Sequence, residues 1–138
     1  MTTYLPEKEP TNSKDSNTLR WSVRTDGQSG FVFVNNYQRL QKMSPKNNVQ
    51  FQIKLKNETL NFPKKPISVA ADAIFFFPFN LKIADAKLIY ATAQPICKLE
   101  EKGDTYLFFK EIEGISAEFQ FDEKTKFVGK KDGANRYQ

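Results

Sequence analysis

Between Val49 and Lys56 every second residue is apolar. Val49, Phe51, Ile53 and Leu55 alternate with Gln50, Gln52, Lys54 and Lys56. Successive side chains of a strand point to opposite faces, so this segment buries one face and wets the other. The same period recurs in Leu19, Trp21 and Val23 against Arg20, Ser22 and Arg24. It returns in Ala117, Phe119 and Phe121 against Glu118, Gln120 and Asp122. No strong helical period competes with it.

Turn chemistry separates these runs. Asp26-Gly27-Gln28-Ser29-Gly30 supplies two glycines free to take positive φ, so 19–24 and 31–36 read as a β-hairpin. Phe31-Val32-Phe33-Val34 is apolar on both faces, as a central strand should be. Asn57-Glu58 turns the chain into Thr59-Leu60-Asn61-Phe62, and Pro63-Lys64-Lys65-Pro66 interrupts it. The most apolar stretch follows, Ala73-Ile74-Phe75-Phe76-Phe77-Pro78-Phe79. It is too short for a membrane span, and Pro78 argues against a helix interior. Both of its faces are aromatic, so it is either a central strand or a strand with one face at an interface. Residues 86–93 and 105–109 complete the set, with Glu101-Lys102-Gly103-Asp104 as a turn. The expected fold is all-β, an antiparallel β-sandwich of about eight strands. Residues 18–127 form that domain. Residues 1–17 are polar with two prolines and read as a flexible arm or linker, and 128–138 as a loose tail.

Length and composition narrow the function. A chain of 138 residues holds one domain. It is too short for a (β/α)8 barrel, which takes about 250 residues. It contains no histidine, which removes Ser-His-Asp and Cys-His catalysis, imidazole metal ligands and a histidine switch. Thirteen Phe, five Tyr and one Trp are too many aromatics for a disordered chain. The single cysteine, Cys97, reads as a buried structural thiol. No stretch reaches the roughly 20 apolar residues of a membrane helix, and the N-terminus lacks a signal-peptide core. Either the protein stays in the cytoplasm or the chain starts after its signal.

The net charge of +5 comes from the middle: residues 31–65 carry seven basic side chains against Glu58 alone. Such a patch attracts nucleic acid or acidic glycans, whereas lysines on a wet strand face do neither. A basic nucleic-acid-binding domain is therefore one alternative. No RNA-binding aromatic signature, helix-turn-helix pattern or zinc-finger spacing supports it, so neither nucleic acid nor membrane is the expected partner. Glu100, Glu101, Glu111, Glu113, Glu118 and Asp122 could supply a glycosidase pair, but each sits in a turn or on a polar strand face. No phosphate loop or calcium loop is present, and no cofactor or metal is expected. The run Asn35-Asn36-Tyr37-Gln38-Arg39 reads first as a loop anchor, although these residue types also hydrogen-bond and stack sugars.

The string from Leu19 to Arg39, above all Gly30-Phe31-Val32-Phe33-Val34-Asn35-Asn36-Tyr37-Gln38-Arg39, resembles the start of a β-domain in bacterial β-galactosidases of glycoside hydrolase family 35. Phe75-Phe76-Phe77-Pro78-Phe79-Asn80 and the stretch from Ala91 to Leu99 are similar too, so the resemblance covers residues 18–122. It implies a non-catalytic domain that docks on the catalytic barrel of the same polypeptide and shapes substrate access. It also implies a parent enzyme that works in the periplasm or outside the cell. The family's catalytic glutamates belong to the barrel, so no catalytic residue carries over. The expected docking surface is Phe75, Phe76, Phe77 and Phe79. Galactoside-containing glycans are a further expected ligand, with Asn36, Tyr37 and Arg39 as contacts. The alternative is a stand-alone carbohydrate-binding module, for which Trp21, Tyr37, Tyr90 and Tyr106 are the aromatics to inspect.

Overall fold

The computed structural model describes residues 1–126. It is all-β and antiparallel. In chain order the strands are β1 (Thr2–Tyr4), β2 (Arg20–Thr25), β3 (Gly30–Asn35), β4 (Lys46–Lys54) and β5 (Thr59–Val69). They continue as β6 (Ile74–Ile83), β7 (Ala86–Ala91), β8 (Ala93–Glu101), β9 (Asp104–Glu111) and β10 (Phe119–Phe121). One six-stranded sheet has the order β1-β2-β3-β6-β7-β10, and β4-β5 and β8-β9 are separate two-stranded sheets.

Register explains the core. Residues opposite one another in an antiparallel pair point to the same side. Val23 faces Val32, which faces Phe77; Val34 faces Phe75; Gly30 faces Phe79, which faces Tyr90. This face packs on Phe51, Ile53, Leu60, Phe62 and Val69 of the β4-β5 hairpin to form the core. Ring contacts cross the layers: Trp21 lies 5.1 Å from Phe51, and Phe62 stacks on Tyr90 at 5.2 Å. The alternation from Val49 to Lys56 is met in full, with Phe51 and Ile53 buried and Lys54 and Lys56 exposed.

The sheet's second face carries Phe31, Phe33 and Phe76, set by the pairs Phe33–Phe76 and Phe31–Pro78. The β8-β9 hairpin lies over part of it, and the Gln94 side chain accepts a hydrogen bond from the Phe76 amide at 3.2 Å.

Four expectations change. Ten strands form among the described residues rather than about eight. The first 17 residues are not simply an arm: Thr2–Tyr4 pair with Val23–Thr25, because the edge of β2 offers unpaired backbone groups. The Asp15 carboxylate then gathers the amides of Thr11, Asn17 and Thr18 into a turn behind that strand. Pro63-Lys64-Lys65-Pro66 does not interrupt β5. It bulges between the pairs Phe51–Phe62 and Val49–Ile67, where a missing proline N–H costs no ladder bond. The Gln50 side chain donates to the carbonyls of Pro63 and Lys64 and so fills the gap. Finally, Gly30 does not take positive φ; a Cβ there would lie 2.1 Å from the Arg24 carbonyl oxygen. The glycine is needed for close approach of β2 and β3. The tail from residue 128 lies outside the described residues.

Candidate interaction surface

Phe75, Phe77 and Phe79 are buried in the chain's own core, so they cannot meet a partner without opening the sandwich. They point inward because each pairs with an inward residue of β3. Phe76 alone of the expected docking set points outward. Its ring lies 5.4 Å from Phe33 and 5.7 Å from Phe31, and all three rings are half-buried. A groove of about 330 Å³ runs between this layer and the hairpin, lined by Phe31, Phe76, Ile83, Pro95, Ile96 and Leu107.

The hairpin carries an apolar surface of its own. Leu99 pairs with Tyr106 and Cys97 with Phe108, which places all four on one face. Leu99 is 50% exposed, Tyr106 46% and Phe108 48%. Thr105, Leu107 and Phe109 take the opposite face and are half-buried, with Phe109 edge-on to Phe119 at 5.0 Å. Cys97 is thus exposed rather than buried. The expectation failed because the hairpin covers only one of its faces.

The glycan-contact set divides. Asn36 is fully buried and structural. Its amide donates to the Ser44 carbonyl at 3.0 Å and the Ala70 carbonyl at 2.8 Å, and its Oδ1 accepts from Lys46 Nζ at 2.8 Å. Lys46 Nζ also donates to the carbonyls of Ser16 and Ser44. The basic segment is therefore not all solvated lysine; one of its charges is buried on carbonyls. Burial, and then the nearby Arg20 charge, hold the Lys46 pKa below its usual value. Tyr37, 44% exposed, and Arg39, exposed, remain on the surface beyond β3. Of the other aromatics, Trp21 packs on Phe51 and Tyr90 is buried. The Tyr90 hydroxyl donates to Glu118 and accepts from the Lys64 amide.

A second concavity of about 590 Å³ opens at the Asp26–Ser29 turn, lined by Gln28, Glu58, Asn80, Lys82, Asp85 and Asp122 among others. Asn80, buried at φ +49°, donates to the Gln28 carbonyl at 2.9 Å and to Glu58 at 2.7 Å. Its Oδ1 is a buried acceptor without a partner among the described residues. Sequence reasoning missed Asn80. Its only signal was a polar residue ending the phenylalanine run.

No group of three or more acidic or thiol side chains among the described residues is placed to hold a metal ion. Among the described residues no helix is long and apolar enough to cross a membrane. No protein-family model matches the chain, and no curated protein or solved structure matches it either.

Proposed function

We propose that this chain is a non-catalytic accessory β-sandwich of a β-galactosidase, docking on the enzyme's catalytic barrel. The observation that carries the reading is the outward, half-buried aromatic layer of Phe31, Phe33 and Phe76, together with the exposed Leu99, Tyr106 and Phe108 on the outer face of the β8-β9 hairpin. Exposed apolar side chains in this number mark an interaction site. The resemblance to glycoside hydrolase family 35 supplies the partner. The family-like string from Gly30 to Asn36 serves here as scaffold: Gly30 admits the neighbouring strand, and Asn36 ties the end of β3 to the β3-β4 and β5-β6 loops. Such residues belong to a domain's architecture rather than to chemistry.

An antibody against this chain tests the reading. From cells that make the protein it should precipitate a polypeptide long enough to add a barrel, about 250 residues more. The precipitate should hydrolyse a chromogenic β-galactoside, and the isolated 138-residue chain should not. A precipitated species too short for a barrel, or one inactive on β-galactosides, overturns it. Exposure of Tyr37 and Tyr106 favours a second reading, a carbohydrate-binding module. Calorimetric titration with galactosides and polysaccharides decides it, since no heat removes that version.

A further inference from the structure

Sheet edges expose unpaired N–H and C=O groups, and proteins blunt them with short strands, prolines and bulges. Nearly every edge in this fold is blunted. The six-stranded sheet ends in β1 and β10, three residues each. β4 shifts register between Lys46 and Val49 and again before Phe51, opposite the proline bulge of β5. β8 carries Pro95 and shifts register between Pro95 and Cys97. β9 differs. Its eight residues, Asp104–Glu111, contain no proline and run without a break, and no described strand pairs with its outer edge.

The sequence of that edge is complementary to itself. We propose that β9 pairs antiparallel with β9 of a second copy, about a two-fold axis through Leu107, making one four-stranded sheet. In that register Tyr106 lies opposite the partner's Phe108 and Asp104 opposite the partner's Lys110, each contact occurring twice. Tyr106 and Phe108 share the exposed face, so the aromatic pairs form on one continuous surface. Asp104 and Lys110 are both exposed, and neither is in an ion pair among the described residues. Slipping one residue either way turns the aromatic face of one copy towards the covered face of the other. One of those slips also sets Asp104 against Glu111. Slipping two residues keeps the faces but loses the Asp104–Lys110 contacts. The two-fold closes the contact after two copies, so the product is a dimer rather than a fibre. The inference does not rest on the accessory-domain reading.

Sedimentation equilibrium tests it. With rising concentration the weight-average mass should climb from one chain towards two, less so at high salt. Asp104→Lys places like charges opposite each other twice and should weaken the dimer at least about tenfold. The double variant D104K/K110D exchanges the charges and should restore it. Both positions are exposed, so circular dichroism should show the variants folded. A single-chain mass up to about 1 mM overturns the proposal. A dimer that ignores Asp104→Lys, or that the double variant fails to restore, overturns it equally.

Discussion

Single residues hold this fold at points where a polar group is buried. Asn36 spends every hydrogen-bonding atom of its side chain on two carbonyls and the Lys46 ammonium. Asn36→Ala should therefore cost about 3 kcal/mol in urea unfolding, since buried partners lose their donor or acceptor while the chain stays folded. Tyr90 makes a pH prediction. Burial, and then the hydrogen bond to Glu118, push its phenol well above the usual value of 10.0. The folded state then keeps a proton that the unfolded state releases, so Tyr90 stabilises fully below pH 10.0 and this contribution fades as pH rises above it. Lys46 works the other way. Its lowered pKa means the unfolded chain binds more protons, so its contribution rises with pH on the approach to 10.5. Tyr90→Phe should accordingly lose less stability than the wild type between pH 9 and about 11. Equal losses in the two proteins would show that the phenol is not the source.

At the scale of elements, the β8-β9 hairpin is the most testable unit. Its two-residue loop has Lys102 at φ +51° and Gly103 at φ +84°, the pattern of a type I′ turn. No atom lies within 4 Å of a Cβ built on Gly103, so Gly103→Ala adds conformational strain without a clash. The expected cost is about 1 kcal/mol, read as a lower midpoint in thermal unfolding with unchanged near-ultraviolet dichroism. The hairpin also shows what the sequence could and could not reveal. Its turn was legible because Gly103 follows three polar residues, and the β2-β3 hairpin because Asp26-Gly27 marks its turn, although Gly30 belongs to β3. The inward phenylalanines Phe75, Phe77 and Phe79 were not separable from Phe76, because three consecutive aromatics followed by Pro78 mask the period-2 signal. Cys97 and β1 were misjudged for one reason: each depends on what another element covers or leaves open, and local pattern does not contain that.

At the scale of the molecule, the chain is a sheet with two unequal covers. The β4-β5 hairpin seals one face, while β8-β9 leaves the other partly open. This asymmetry ties the two proposals together without merging them, since docking would use the open face and self-pairing would use the edge of its partial cover. Neighbouring positions of β6 measure the difference. Phe77 is fully buried against Val32 and the ring of Phe75 lies 4.6 Å away, so Phe77→Ala should cost about 4 kcal/mol through lost burial and a cavity. Phe76 is only half-buried, and water can enter where its ring stood, so Phe76→Ala should cost about 1–2 kcal/mol. If the open face serves binding, the ranking inverts when interaction is measured: the Phe76 variant folds but loses its partner. Urea unfolding of the two variants, followed by pull-down of the proposed barrel partner with the Phe76 variant, reads both halves. Equal stability losses would mean that β8-β9 seals its face as tightly as β4-β5 does, leaving no open aromatic layer for a barrel to cover.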